Sequence, residues 1–408
     1  MPEIDRRVWR VKGDPLVAAV PRSAGHGAPA ALDGQTVAVK DLFAVAGQRI
    51  GAGVPGYLAE ALVQPVSASA VQRLIDGGAS VIGIAQTDEF AFSLAGANPH
   101  YGSPPNPAVP GGLPGGSSSG PASAVALGEA TIGLATDTAG SIRVPASYQG
   151  LWGLRTTHGA VPRDGLLPLA AGFDTVGWLT RSPALLLRVA VQQLPEAAML
   201  QVGIPPAMRF AIDPTLLTGV DPGVAAAFVA FVRYRLGGEV DEVAVGDTAE
   251  SADAFRIAQA FEAWACHGAW LTAHPGAVSG AVSARFDAAH RVTAAEASES
   301  REILAAARGR LTALLAARVL LLPSTATTAP SLTAEPPVVE HARARTVRLT
   351  HLASVLGGPA VSAPLLTVNG APLGISLVAL PGRDVELLRL AATLAADAGQ
   401  PTESPTDR

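Results

Sequence analysis

Between Pro114 and Ser147 the chain reads PGGSSSGPASAVALGEATIGLATDTAGSIRVPAS. Two clusters of glycine and serine, at 115–120 and 140–141, flank a small-residue stretch over 122–128 that reads as a helix and an apolar run over 131–136 that reads as a strand. Alternating strands and helices bring loops from distant parts of a chain to one end of a sheet, so the two hydroxyl-rich clusters can meet there. The preceding sequence has the same grammar. Residues 37–39 and 79–84 read as strands, and 67–76, with Val71, Leu74 and Ile75 on one face, reads as the helix between them. The stretch 101–120, dense in Pro, Gly and Ser, is a loop. Further on, helices are expected over 224–234, 252–273, 294–315 and 384–398, and strands over 319–322 and 373–378. The fold class is α/β, with 1–408 as one domain and 194–207 as a joint within it.

Composition narrows the function classes. With 49% apolar and only 15% charged residues over 408 positions, the chain buries a large core and lacks the signature of disorder. A net charge of −5 argues against a surface that neutralises phosphates or anionic lipid, so no nucleic acid or membrane partner is expected. The single cysteine, Cys266, permits neither an internal disulfide nor a thiolate metal cage, which fits a reducing cytoplasm. The best apolar run, 311–322, is broken by Arg318 and stopped by Pro323, well short of the ~20 residues that cross a bilayer. The first fifteen residues, MPEIDRRVWRVKGDP, lack the unbroken apolar stretch of a signal peptide.

Lysine usage is more informative than total charge. Lys and Arg together number 29, and the only lysines are Lys12 and Lys40, so the other 27 are arginine. Lys40 lies in TVAVKDLFAVAG, an apolar strand-like run. Arginine keeps its proton in a protein whereas a desolvated lysine can lose it, which gives a chemical reason for lysine at this position. The alternative is a strand-edge lysine facing water.

Three chemistries compete for the 114–147 window. A phosphate loop has this glycine spacing but needs lysine after its last glycine, where Ser117 stands. A nucleophile elbow has the form G-x-S-x-G, as in residues 116–120, but sits after a buried strand, and the preceding GGLPG cannot be one. The third reading is a resemblance. Gly115-Gly116-Ser117-Ser118-Ser119-Gly120, followed by Asp137-Thr138-Ala139-Gly140-Ser141-Ile142-Arg143-Val144-Pro145-Ala146, resembles the paired motifs of the amidase signature family. VAVKDLF at 37–43, TDEFAF at 87–92, HYGSPPNP at 100–107 and LRTTHGAVPRDGLLPLAAGFDTVGW at 154–178 agree with it. The likeness is strong over about 30–190. It extends more weakly through HLASVLGGPAVSAPL and PLGISLVALPG, while 195–330 is a variable region that helps to shape the acyl pocket.

The resemblance implies a mixed β-sheet core covered by helices on both faces, and amide hydrolysis to acid and ammonia through an acyl-enzyme, without metal or organic cofactor. Carried over residue by residue, it makes Ser141 the nucleophile, Ser117 the bridging serine on a cis Gly116–Ser117 peptide, and Lys40 the base. The loop N–H groups of Thr138, Ala139 and Gly140 become the oxyanion donors, and Ser118 joins them in binding substrate. The implied partner is a small-molecule amide, and self-association as a homodimer stays open. Most members carry glycine where Ala139 stands, and the T-A-G-S form is similar to allophanate hydrolases. The short length and the 154–178 block are more similar to compact indole-3-acetamide hydrolases. An amidotransferase A subunit and a binding scaffold that has lost its nucleophile are further readings, the last disfavoured because Lys40, Ser117 and Ser141 are all present.

Other polar residues have plainer readings. Ser119 satisfies the turn, and Asp137 and Arg143 brace the nucleophile loop. Cys266 reads as core, and a dyad with its neighbour His267 is unfavourable because consecutive helical residues point apart. Phe261, Trp264 and Trp270 recur at helical spacing as core or pocket wall.

Overall fold

The computed structural model describes residues 4–20, 30–195, 208–237 and 240–397. Among them are β1 (Trp9–Val17), β2 (Thr36–Lys40), β3 (Ser80–Ala85), β4 (Ile132–Asp137), β5 (Trp152–Arg155), β6 (Thr175–Thr180), β7 (Arg209–Ile212), β8 (Val240–Glu242), β9 (Arg318–Pro323), β10 (Ala360–Val368) and β11 (Ala371–Val378). They join one mixed sheet in the order β1-β3-β2-β4-β6-β5-β10-β11-β9-β7-β8. Strand β2 runs parallel to both β3 and β4, β7 runs parallel to β8 and β9, and the remaining pairs are antiparallel.

Period-two alternation in β2 decides which helices it meets. Val37 and Val39 bury with Ile132 and Leu134 beneath the helices Ser69–Asp76, Pro183–Gln193 and Asp384–Asp397. Ala38 faces the opposite side, in a cluster with Ala85, Ala122, Val125, Ile142 and Ala146 under the helices Ser119–Ala126 and Arg143–Gln149. Lys40, two residues beyond Ala38, therefore leaves the sheet on the side that carries both hydroxyl clusters. Helices cover both faces, as the resemblance implies.

The elements read from sequence occur, with shifted ends that have local causes. The helix Thr248–Ala273 begins before 252 because the Asp247 carboxylate accepts the N–H groups of Ala249 and Glu250. Thr293 and Glu296 form a capping box that opens Ala294–Leu314. The 119–126 helix starts directly after Ser118 rather than at 122. A Cβ on Gly120 would lie 2.5 Å from the backbone N and O of Gln86, so only glycine lets the helix approach so closely. Residues 196–207 of the expected joint, and Ala398 at the end of the last helix, lie outside the described residues. The sequence reading did not mark the helix Pro336–Leu356, begun by a proline in its first turn and ended by Gly357 at φ 69°. No helix among the described residues is long and apolar enough to cross a membrane.

Candidate active site

Lys40 ends β2 and Asp137 ends the parallel neighbour β4, so both sit at the carboxyl edge of the sheet, where α/β folds place their chemistry. Beyond Asp137 the chain turns through 138–142, where Ser141 lies, into the helix Arg143–Gln149. Ser117 and Ser118 lie just before the helix Ser119–Ala126, and the Gly116–Ser117 peptide is cis. These elements bring together three residues from separate motifs. Lys40 Nζ is 2.8 Å from Ser117 Oγ, and the Ser117 hydroxyl is 3.0 Å from Ser141 Oγ. Lys40 and Ser117 are fully buried and Ser141 is 3% exposed.

Lys40 Nζ also donates to Ser118 Oγ at 3.0 Å and to Thr136 Oγ1 at 2.8 Å. All three acceptors are neutral hydroxyls. Burial, only partly opposed by the negative charges of Asp88, Asp137 and Asp174, pulls the Lys40 pKa down from 10.5 to about 7. An ammonium that loses its proton near neutrality leaves a neutral amine that can act as a base, and with its two N–H groups held by Ser118 and Thr136 the lone pair is directed at Ser117.

A charged brace holds the loop before Ser141. Arg143 donates through Nε and Nη2 to the two carboxylate oxygens of Asp137, at 3.0 and 2.7 Å, and Arg155 Nη1 reaches Oδ1 at 3.1 Å. Burial pushes the Asp137 carboxyl up, but these two guanidinium groups outweigh it and hold the group well below the usual carboxylate range. Asp137 also accepts the N–H groups of Gly140 and Ile142 at 2.9 and 3.2 Å. The bracing expected of Asp137 and Arg143 is present, and Arg155 completes it.

The helix Pro336–Leu356 closes the far side of this loop with two hydroxyls one turn apart. Thr350 Oγ1 donates to the Ala139 carbonyl at 2.5 Å, and Ser354 Oγ donates to the Thr138 carbonyl at 2.6 Å. The Thr138 hydroxyl donates to Asp174 Oδ1 at 2.5 Å, while Asp174 Oδ2 accepts the N–H groups of Leu169 and Ala170. Sequence reading missed Thr136, Arg155, Asp174, Thr350 and Ser354. The repeat of Thr346, Thr350 and Ser354 at intervals of four was the one available signal for a polar helix face turned inward.

Three expectations are corrected. The Gly140 N–H is taken up by Asp137 Oδ1, because the brace needs it to close the turn. Of the three N–H groups expected to face an oxyanion, that of Gly140 is therefore already paired. Ser118, expected against substrate, is fully buried. Its hydroxyl accepts from Lys40 and donates to the Thr136 carbonyl at 3.3 Å, since its place just before a helix turns it under the lysine. Cys266 is exposed rather than core. The inward face of its helix is made by Ala258, Ala263, His267 and Gly268, and Cys266 points away from it. His267, by contrast, is buried with Nε2 2.8 Å from the Pro168 carbonyl.

The aromatic residues divide. Trp270 packs edge-on against Tyr57 and Phe90 and stacks on His274. Trp264 lies against His290, and Phe261 sits under the Arg301 guanidinium. The buried apolar cluster that includes Ala139 also contains Phe90, Ala91, Leu169, Phe173 and Phe255. A separate cavity of about 330 Å³ is lined by Glu89, Ser93, Asn98, Ser279, Arg285 and Glu340 together with apolar side chains, and includes none of Lys40, Ser117 and Ser141. Among the described residues no three His, Cys, Asp or Glu side chains are grouped to hold a metal ion.

Comparison with known proteins gives the family of the chain. A family model described as Amidase matches residues 18–388. The chain belongs to the amidase family. This amidase is 34% identical over 400 residues to Amidase 1 of Arabidopsis thaliana, an alignment covering 90% of this chain and 94% of the relative. A solved structure titled as a crystal structure of amidase matches with a TM-score of 0.79 at 31% identity, covering 90% of this chain and 85% of that one. Allophanate hydrolase of Kluyveromyces lactis matches with a TM-score of 0.78 at 26% identity, over 90% of this chain and 62% of that one. The amidase is thus an amide-hydrolysing enzyme with an α/β fold.

Proposed function

We propose that this amidase hydrolyses a small carboxamide to a carboxylic acid and ammonia through an acyl-enzyme on Ser141. The observation that carries the reading is the unbroken chain from Lys40 through Ser117 to Ser141, at 2.8 and 3.0 Å. Ser141 Oγ attacks the carbonyl carbon. Its proton passes to Ser117 Oγ as the Ser117 proton passes to neutral Lys40, so the alkoxide never stands free. The carbonyl oxygen becomes an oxyanion facing the Thr138 and Ala139 N–H groups, the latter in the peptide whose Thr138 carbonyl is held by Ser354. As the C–N bond breaks, Lys40 returns the proton through Ser117 to the leaving nitrogen, and ammonia departs. Water then attacks the ester, the relay takes its proton, and acid leaves as Ser141 regains its hydrogen.

The likeness of the 154–178 block to compact indole-3-acetamide hydrolases favours an aryl or indolyl acetamide first. A urea-type substrate such as allophanate is the second reading, favoured by Thr138-Ala139-Gly140-Ser141 and by the likeness to the Kluyveromyces lactis enzyme. The test is ammonia release from acetamide, benzamide, phenylacetamide, indole-3-acetamide and allophanate, with Ser141→Ala as control. Turnover of an aryl or indolyl acetamide that vanishes in the variant supports the reading. Silence across the panel, or turnover that survives Ser141→Ala, overturns it.

A further inference from the structure

The proton relay creates an electrostatic problem that its own residues do not solve. Each time Lys40 takes a proton it becomes an ammonium with no solvent contact, and its three hydrogen-bond acceptors, Ser117, Ser118 and Thr136, are uncharged. A buried charge without a counter-charge is strongly disfavoured. Three buried carboxylates lie within electrostatic reach of it: Asp137, Asp174 and Asp88. Asp137 is already answered by two guanidinium groups, those of Arg143 and Arg155. Asp174 is bonded to the Thr138 hydroxyl and to two backbone N–H groups, with the Arg163 charge nearby.

Asp88 differs. Its Oδ2 accepts the Gly96 N–H at 3.0 Å and the Ser93 side chain hydrogen-bonds the carboxylate, but among the described residues Oδ1 is buried without a hydrogen-bond partner. The Arg285 charge also acts on Asp88, but its guanidinium is bonded to the Phe92 carbonyl and to Glu340. Asp88 is also fixed to the nucleophile relay. A Cβ on Gly116 would come within 2.5 Å of Asp88 Oδ2, so the carboxylate rests directly on the residue before Ser117. The Ser117 carbonyl accepts the Thr87 hydroxyl at 2.8 Å and the Asp88 N–H at 3.4 Å.

We propose that Asp88 is a positioning residue of this apparatus: seated against the Gly116–Ser117 peptide, its carboxylate is the counter-charge to the ammonium that Lys40 forms when the relay passes it a proton from Ser117. The inference rests on the Lys40–Ser117–Ser141 reading. It assigns a reason for glycine at 116, where any side chain would displace the carboxylate. It also fixes a sign: without the Asp88 charge the ammonium is less favoured, so Lys40 gives up its proton at lower pH but is a weaker base.

The test uses the rate of labelling by a fluorophosphonate as a function of pH, a readout that needs no knowledge of the substrate. Ser141 Oγ forms the bond to phosphorus, fluoride leaves, and the proton goes to Lys40 through Ser117. In the intact protein labelling rises with pH as Lys40 becomes neutral. Asp88→Asn, with Asp88→Ser as a smaller alternative should the amide prevent folding, is expected to move the midpoint of that rise down by about one pH unit and to slow the plateau several-fold. Asp88→Glu is expected to keep the midpoint near that of the parent. A folded uncharged variant whose midpoint is unchanged, with labelling merely slower at every pH, overturns the proposal and leaves Asp88 a structural residue. Failure of the underlying reading looks different: Ser141→Ala would still be labelled, or Lys40→Met would keep the parent profile.

Discussion

The Thr350 hydroxyl donates to the Ala139 carbonyl at 2.5 Å, joining the middle of the 336–356 helix to the loop before Ser141 across 211 positions of sequence. The bond fixes the 139–140 peptide, whose N–H, that of Gly140, donates to Asp137, and so ties the loop to its brace from both sides. Thr350→Val keeps the shape and removes the donor, leaving a buried carbonyl unpaired at about 1–3 kcal/mol. We expect kcat to fall about tenfold if ~1.4 kcal/mol of that loss reaches the transition state. Steady-state kinetics beside urea unfolding checks it, and an unchanged kcat with lowered stability would remove Thr350 from any part in orienting the loop.

Lys40→Arg retains charge and donors but cannot take a proton. Turnover is expected to drop at least about a thousandfold, the range of a lost general base. Rates of ammonia release by the purified variant test this. Retained activity would exclude lysine as the base.

The pH dependence follows from the same residue. With Lys40 near 7, kcat/KM should rise through neutral pH as the amine loses its proton. Stability carries a matching signature. The folded-state pKa is depressed from 10.5 to about 7, so between those values the unfolded chain binds one more proton and this group's contribution to stability rises with pH. Urea midpoints from pH 7 to 10 for the intact protein and Lys40→Met should diverge in that direction, and parallel curves would contradict the assignment.

Asp137→Asn removes the charge that answers both Arg143 and Arg155. Breaking a buried pair on one side costs about 3–5 kcal/mol, so the variant should melt well below the parent and lose activity with its loop order. Thermal unfolding followed by circular dichroism measures it. A melting temperature within a degree or two of the parent would mean that the brace contributes nothing to stability.

What the sequence made legible was the chemistry carried by local motifs. The apolar run ending in Lys40, the serine cluster at 117–118 and the turn before Ser141 each announce themselves within a few residues, and the strand–helix alternation brings their ends together. Thr136, Asp174, Thr350 and Ser354 were not legible, because each acts through a partner on another element and has no marked neighbours of its own. Cys266 was misplaced for a related reason. In a helix whose buried face is mostly alanine, with Phe255 and His267 among it, an apolar side chain does not by itself reveal which way the helix faces, and packing against the neighbouring elements decides it.

The claim that Ser141 carries the acyl group is tested most directly by trapping it. The amide hydrolysed fastest in the ammonia assay would be mixed with enzyme, quenched in acid within the first turnover, and the acylated residue located by peptide fragmentation. We predict a mass increase equal to the acyl group on Ser141, absent from Ser141→Ala. An adduct on Ser117 or Lys40, or full turnover by Ser141→Ala, would contradict the account.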